Sequence, residues 1–267
     1  REDEPQLRLR RRLPVERYNE QVSLLCNTEG AHLLANHATH PAVQAVFRVH
    51  DAPTPESLAR LGRQIDAVVD RRGLDPAQWH WNADAEPLAD YLHRLPRRGA
   101  QARLTEAIER QARMATTRSS FSATAGPHFG VGAEIYGRFS APMREVVGIF
   151  SHKELLEALE IATPTPAEDD AELLDEVIDA ANRAKSLQRQ LDKDVIGLVL
   201  TRLLAPELAL ARAQRVWRSG TVLGMKPHLL YVRLDRPPVE VKVHLADLEQ
   251  LTGTAYSSEG HGTVAAP

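Results

Sequence analysis

The stretch YGRFSAPMREVVGIFSHK, residues 136–153, decides the fold of this chain. Its Ser-Ala-Pro step ends an extended segment, and Pro142 predicts the first residue of a helix, because proline is well tolerated there. Ser140 or Ala141 then caps this helix, whose first backbone N–H groups point outward without partners. Arg144 falls in the first helical turn, where the terminus favours anions and a guanidinium matches a phosphate. An isolated arginine near a helix start is, however, most often a solvated surface residue.

Residues 136–153 resemble the signature of the ribonuclease II/R family of 3′→5′ exoribonucleases, which runs roughly YTHFTSPIRRYPDLxVHR. The identical matches are Tyr136, Phe139, Pro142, Arg144 and His152, and the conservative ones are Ser140, Met143, Ile149 and Lys153. The chain departs from the signature where it has Ala141, Glu145, Val146 and Gly148, in place of a serine, a basic residue, a tyrosine and an aspartate. Glu145 either lowers the positive potential beside Arg144 or points away from the groove.

Further segments resemble motifs of the same family, in the family's order. VERYNEQVSLLCNTEGAHLLA (residues 15–35) is anchored on Glu20 and Asn27, VFRVHDAPTPESLARL covers residues 46–61, and GPHFGVGAEIY covers residues 126–136. In a later helical segment, Asn182 and Gln188–Arg189 match family positions. Together these motifs extend over more than half of the chain.

Apolar spacing predicts a largely helical chain that becomes β-rich near its end. Helices are expected over residues 14–37, 55–72 (capped by Thr54), 102–114 and 142–159, with a further helix of roughly 30 residues or more from near Asp170. From Arg215 the period changes to two, which predicts three short strands within 216–225, 228–235 and 239–245. The resemblance implies an α+β fold: residues 1–212 as the C-terminal part of an RNB-type catalytic domain, and 213–267 as an incomplete OB-type RNA-binding barrel with a disordered tail.

The resemblance implies an enzyme that hydrolyses single-stranded RNA with a divalent metal, Mg²⁺ or Mn²⁺. Arg144 would stabilise charge on the scissile phosphate, and Glu20 would help to position the terminal nucleotide. The remaining motif residues expected to contact RNA are His128, Tyr136, Arg138 and Ser140.

In the predicted barrel, exposed aromatic side chains and basic residues would hold a single strand. Trp217 and Tyr231 are the candidate stacking platforms. The candidate phosphate contacts are Arg218, Lys226, Arg233 and Lys242. Core aromatics and scattered surface charge are an equally good interpretation of each residue taken singly.

The metal ligands of the family, a cluster of aspartates on an upstream loop, have no counterpart in this chain. Glu168, Asp169 and Asp170 are adjacent acids, but they lie where acidic residues stabilise a helix start. The metal-binding carboxylates are therefore expected on a missing N-terminal portion of the same protein. The first residue is arginine, which agrees with an excerpt from a longer chain.

Composition narrows the class of protein further. The 267 residues carry a formal net charge of −3, so any nucleic acid would have to be held in a local groove. The one cysteine, Cys26, excludes a disulfide framework. No apolar run is long enough to span a bilayer and no signal peptide is present, which favours a cytoplasmic protein without a membrane partner.

Three hypotheses for function follow. The first is a fragment of a 3′→5′ exoribonuclease that is inactive alone and catalytic in the intact chain. The second is a non-catalytic RNA-binding or scaffold relative that has kept the fold and lost the metal site. A helical interaction protein without an RNA role is the third, and the ordered motifs argue against it.

Overall fold

The computed structural model describes residues 12–37, 43–141, 144–259 and 263–265, and of 257–259 and 263–265 it describes the backbone alone. The chain divides into two compact units. The first unit is Arg1–Ala52 with Thr117–Arg212, and the second unit is Pro53–Thr116 with Ala213–Pro267. Both units combine helices with short antiparallel strands, so the predicted α+β class is confirmed.

The described residues of the first unit form three α-helices and a two-stranded sheet. They are α1 (Pro14–His37), β1 (Phe47–Val49), β2 (Ser120–Ser122), α6 (Val146–Ala158) and α7 (Ala167–Leu208). β1 and β2 pair antiparallel, and Arg48 lies opposite Phe121. The helix predicted from Asp170 begins three residues earlier, at Ala167, and its acidic first turn agrees with the interpretation of Glu168–Asp170 as a helix start.

Two apolar clusters hold the first unit together. One joins α1 to β1 and to the segment before α6, through Ala31, Leu34, Val43, Ala45, Phe47, Ile135 and Phe139. The other packs α6 against α7 and β2, through Val46, Phe121, Val147, Phe150, Leu174, Val177 and Ala181. The first cluster therefore includes Phe139 of the signature segment, and the second includes Val147 and Phe150 of α6.

The second unit contains four helices in its first segment, α2 (Pro55–Arg72), α3 (Pro76–Trp79), α4 (Leu88–Arg94) and α5 (Ala102–Ala115). Thr54 caps α2, because its hydroxyl accepts a hydrogen bond from the Ser57 N–H at 3.2 Å. Gly73 ends the helix in the left-handed region, with φ of 57°, where glycine carries no steric penalty. These helices surround a core of aromatic and aliphatic side chains, in which Trp79, Tyr91, Leu61 and Val69 are almost completely buried.

The three predicted strands near the end of the chain are present and form an antiparallel sheet in the order β3 (Gly220–Lys226), β4 (Leu229–Leu234), β5 (Glu240–His244). The sheet is not separate from the helices before it. It packs on α5, where the Gln111 side chain donates a hydrogen bond to the Leu223 carbonyl at 3.0 Å, and Arg110 pairs with Glu240 at 3.0 Å. Residues 53–116 thus share a compact unit with 213–267, and the expected division at 212/213 into family domains stays a prediction.

Regular secondary structure continues after β5 in the described C-terminal residues. A helix, α8 (Leu245–Thr252), follows β5, and the strands β6 (Ser257–Glu259) and β7 (Thr263–Ala265) pair antiparallel. Among the helices that the structure describes, none has the length and apolar character needed to cross a membrane.

Candidate functional site

The first unit carries the signature segment, and a single asparagine on α1 holds it in place. The Asn27 side-chain oxygen accepts hydrogen bonds from the backbone N–H groups of Phe139 and Ser140, at 2.7 and 2.9 Å. The amide nitrogen donates to the hydroxyl groups of Tyr136 and Ser140, at 2.9 and 3.2 Å. The Asn27 carbonyl also accepts from the Gly137 N–H at 3.1 Å. Asn27 is 0% exposed, so the protein replaces water at each of these polar atoms.

Phe139 and His152, two further signature matches, serve the same arrangement. The Phe139 ring lies so close to α1 that a Cβ added at Gly30 would meet it at 2.4 Å, so only glycine fits there. His152 on α6 has its Nε2 at 2.9 Å from the Phe139 carbonyl oxygen, and the two rings meet edge to face at 5.5 Å. These signature residues therefore build a scaffold, while the two arginines of the signature, Arg138 and Arg144, line a cleft.

A cleft of about 550 Å³ opens beside this scaffold, within the first unit. Four cationic side chains line it: Arg48 from β1, Arg138 and Arg144 from the signature segment, and Lys185 from α7. Its apolar wall includes Phe121, Val147 and Ala181. Gln188 also lines the cleft, and Glu145 is the one acidic residue among the described lining residues.

Burial and mutual repulsion perturb the cations of the cleft. Burial, together with the neighbouring charges of Arg48, Arg189 and Arg138, lowers the pKa of Lys185 to about 8. Burial also lowers the pKa of Arg48, with a second contribution from Arg138. Arg48 and Lys185 both donate to the Ser119 hydroxyl, at 3.3 and 3.1 Å, which brings them together without neutralising either. The cleft is therefore an anion site by charge, because a negative ligand would stabilise every one of these groups.

Glu145 lies inside the cleft and pairs with Arg138. Its two carboxylate oxygens accept from Arg138 Nε at 2.6 Å and from Arg138 Nη2 at 2.5 Å. This pair raises the pKa of Arg138 and lowers the pKa of Glu145, to which the charges of Arg144 and Arg48 also contribute. Of the two orientations considered for Glu145, the structure has the one that lowers the positive potential of the cleft.

The predicted position of Arg144 in a helical turn is wrong. α6 begins at Val146, and Arg144 lies in the turn before it, where the N–H groups of Arg144 and Glu145 point to the Ala141 carbonyl at 3.4 and 3.3 Å. Glu145 has extended backbone angles, so α6 does not extend N-terminally beyond Val146. Arg144 is exposed and lines the cleft, while Pro142, the predicted first helical residue, lies outside the described residues.

The other predicted site residues of the first unit do not line the cleft. Glu20 forms an ion pair with Arg12 at 2.7 Å. His128 is 6% exposed and burial lowers its pKa to about 4, so its ring is neutral at neutral pH. Tyr136 is buried against His128, and Ser140 is exposed but hydrogen bonded to Asn27. RNA contacts for these residues remain predictions. Tyr136 is buried, and its contacts with Asn27 and His128 support a scaffold role.

In the second unit, the predicted barrel residues fall into two groups. Trp217 is 95% exposed, and Lys226 and Lys242 are exposed on the sheet, as contacts with a ligand require. Tyr231, in contrast, is 7% exposed, and the Arg110 guanidinium covers its ring at 4.5 Å. Arg233 pairs with Glu106 at 3.4 Å, and Arg218 is half-buried. In this structure, the ring of Tyr231 is therefore not accessible for stacking with a base.

The acidic residues that lie close enough to share a metal ion, among those that the structure describes, are Glu154, Glu157 and Asp170. All three are buried, but the Lys153 ammonium lies between them, at 2.8, 3.0 and 2.7 Å from their oxygens. A divalent cation would have to displace this lysine, whose pKa is raised by hydrogen bonds to the three carboxylates despite its burial. This group does not fit the metal that the family resemblance implies.

Sequence reasoning missed two of the four cleft cations, Arg48 and Lys185. Arg48 stands within the motif of residues 46–61, and Lys185 lies between the family matches Asn182 and Gln188. The Asn182 side chain accepts from the Phe121 N–H at 2.9 Å and donates to the Phe121 carbonyl at 3.0 Å, so it ties α7 to β2. Helical spacing from Asn182 was a usable signal, because residues three apart share a helix face.

Comparisons with known proteins show the family and the fold of this chain. Residues 5–161 match the family model of the RNB domain. Exoribonuclease 2 of Pectobacterium atrosepticum is 30% identical over 161 residues, which are 60% of this chain and 22% of that protein. The fold is similar to that of Mycoplasma genitalium RNase R in complex with ribose-methylated single-stranded RNA, with a TM-score of 0.69 and 16% identity over 92% of this chain and 36% of that chain. It is also similar to yeast Ssd1, a pseudonuclease, with a TM-score of 0.53 and 17% identity over 84% of this chain and 26% of that one.

Proposed function

Since the chain belongs to the RNB domain family, we propose that its cationic cleft binds the phosphate backbone of single-stranded RNA, as part of a 3′→5′ exoribonuclease. The observation that carries this proposal is the excess of positive charge in the cleft, where Arg48, Arg138, Arg144 and Lys185 surround the single carboxylate of Glu145. Of these cations, Arg48 and Lys185 are half-buried, and burial lowers the pKa of both, so the phosphates of an RNA backbone would stabilise their charged forms.

The kinds of side chain in the cleft are suited to binding phosphate oxygens. Arginine supplies a planar fork of donors that matches phosphate oxygens, and lysine supplies a point charge. The chain's overall charge of −3 means that this attraction is local to the cleft. A backbone contact of this kind gives affinity without base specificity, as an enzyme that degrades RNA of any sequence requires.

Hydrolysis in the proposed enzyme needs a divalent metal that activates water and neutralises charge on the departing oxygen. The acidic group at Lys153 does not fit such a metal, and the chain spans 22% of the length of the Pectobacterium exoribonuclease. We therefore place the metal ligands of the proposed enzyme outside this chain. The 267 residues alone should bind RNA and leave it intact with Mg²⁺ or Mn²⁺, and the cytoplasm remains the predicted location.

A second candidate function is non-catalytic RNA binding by a relative that has lost the metal site. The observation in its favour is Glu145, which occupies Arg138 where the family signature has a basic residue. The structural similarity to a pseudonuclease adds that this fold occurs in an inactive protein. Both candidates require the same RNA-binding cleft and differ in the chemistry of the intact protein.

The test is the binding of a 5′-labelled single-stranded RNA to the chain in the presence of EDTA, followed by fluorescence anisotropy. The double variant R48Q/K185Q should weaken binding at least tenfold, because each removed phosphate contact lowers both the affinity and its salt dependence. The control R72Q removes an exposed cation from α2, outside the cleft, and should bind as the unaltered chain does. Equal binding by R48Q/K185Q and R72Q would contradict the proposal.

Catalysis is tested separately with the same RNA and added Mg²⁺ or Mn²⁺. No shortening is expected with this chain alone, whereas progressive shortening from the 3′ end would show that the chain holds a metal site. Shortening by a longer form of the protein that includes the proposed metal ligands would favour the exoribonuclease over the non-catalytic relative.

A further inference from the structure

Glu145 places a carboxylate where the cleft offers its best-shaped anion site. Both carboxylate oxygens accept from the Arg138 guanidinium, in the two-pronged geometry that arginine forms equally with carboxylate and phosphate. The hydrogen bonds from Arg138 hold the pKa of this carboxylate below its usual range, and the charges of Arg138, Arg144 and Arg48 act in the same direction. Glu145 is therefore ionised at neutral pH and sits among three arginines.

Glu145 does not serve as a cap for the helix that follows it. It directly precedes α6, with φ of −122° and ψ of 120°, and its side chain makes no capping hydrogen bond to the helix. Ser, Thr, Asp and Asn are the residues that commonly cap a helix from such an extended conformation. The Glu145 carboxylate pairs with Arg138 instead, and the positive end of the helix dipole supports a negative charge at the same place.

We propose that Glu145 is an internal substitute for an RNA phosphate: its carboxylate fills the phosphate subsite of Arg138, and bound RNA must displace it to engage that subsite. This inference rests on the proposed function, since it assigns a role within the same cleft. It divides the cleft in two. Arg48 and Lys185 form a subsite that is open in the free chain, and Arg138 forms a subsite that Glu145 closes.

Two consequences follow for RNA binding. First, while Glu145 is paired with Arg138, that arginine does not bind a phosphate. The chain then neutralises one RNA phosphate fewer than its four cleft cations would allow. Second, replacing Glu145 by glutamine removes the competing charge with little change of shape, and Arg138 then becomes available to a phosphate. For single strands, each additional neutralised phosphate steepens the dependence of log K on log salt by about 0.7.

The experiment compares E145Q with the unaltered chain by anisotropy of a labelled oligouridylate in EDTA, over a series of NaCl concentrations. E145Q should bind more tightly, with a slope steeper by about 0.7, so that its advantage is about fivefold larger at 0.1 M than at 1 M salt. The control is E29Q, which removes the same charge from an exposed position of α1 outside the cleft lining. The variant R138Q/E145Q should lose the gain in slope, because the freed guanidinium is absent.

The outcomes separate this inference from its premise. If the unaltered chain binds RNA and E145Q matches E29Q in affinity and slope, Glu145 is not a competitor and the inference is overturned. If E145Q gains affinity but R138Q/E145Q keeps the whole gain, general charge explains it and the inference is again overturned. If none of these proteins binds RNA in a salt-dependent manner, the proposed function itself fails. Thermal unfolding of each variant, together with E145A as a second replacement, shows that the cleft is folded in the comparison.

Discussion

Replacing Asn27 by leucine keeps the size and branching of the side chain and removes all of its polar atoms. In the unaltered chain that side chain takes part in four hydrogen bonds, two from the backbone N–H groups of Phe139 and Ser140 and two to the hydroxyls of Tyr136 and Ser140. The Phe139 N–H lies in a buried environment, so water replaces Asn27 poorly there. A buried amide left without an acceptor costs about 1–3 kcal/mol, and each lost bond to a hydroxyl about 0.5–1.5 kcal/mol. We therefore expect N27L to lower the free energy of unfolding by about 3–5 kcal/mol.

The measurement is urea unfolding followed by far-UV circular dichroism, with hydrogen exchange at the Phe139 and Ser140 amides as a local readout. The matched control is N19L, which makes the same exchange at an exposed position of the same helix. Tyr136→Phe removes one acceptor and should cost about 1 kcal/mol. A loss below about 1 kcal/mol for N27L relative to N19L, with both amides still protected, would refute the reasoning that this asparagine holds the signature segment.

Further predictions concern the cations of the first unit. Lys153→Met should destabilise the chain by about 3–5 kcal/mol in urea unfolding, because it leaves three buried carboxylates without their shared cation; an unchanged midpoint would show that the acids are neutral. Arg144→Lys should weaken RNA binding less than Arg144→Ala, and neither should change the unfolding midpoint appreciably, since Arg144 is exposed; a lowered midpoint with full binding would make Arg144 structural. RNA affinity should fall as pH rises through about 8, where free Lys185 loses its proton; Lys185→Arg should remove this dependence, and its persistence would assign the titration to another group.

Local signals predicted the helices and strands well where no distant contact competes with them. Thr54, Pro55 and Gly73 fix both ends of α2 by short-range chemistry, and the predicted bounds agree with the structure. The same logic failed at Pro142, because α6 begins at Val146. Glu145 has an extended backbone and pairs with Arg138, and α6 starts after it, four residues later than Pro142 predicts.

The candidate site was predictable in part, for a similar reason. The resemblance pointed to Arg144 and Arg138, which do line the cleft, and to Asn27 as a motif anchor. Nothing local shows that Asn27 reaches a segment 112 residues away, or that Arg48 and Lys185 meet at Ser119. Tyr231 illustrates the opposite case: an aromatic residue in a predicted strand suggested a stacking platform, and its cover, Arg110, comes from a distant helix.

The titration of Lys185 should change the stability of the chain and its RNA affinity in opposite directions. Its pKa in the folded chain is lowered from 10.5 to about 8, so between these values the unfolded chain binds the proton and the folded chain does not. The contribution of Lys185 to the free energy of unfolding therefore rises with pH from about 8 to 10.5. Below about 8 the folded chain carries the full cost of holding a charged Lys185 in the cleft. An RNA phosphate favours the charged lysine, so over the same interval affinity falls as stability rises. The difference between the unaltered chain and K185Q, measured against pH for both quantities, isolates this group from other titrations. If stability and RNA affinity changed in the same direction with pH, Lys185 would not be a buried cation that a phosphate stabilises.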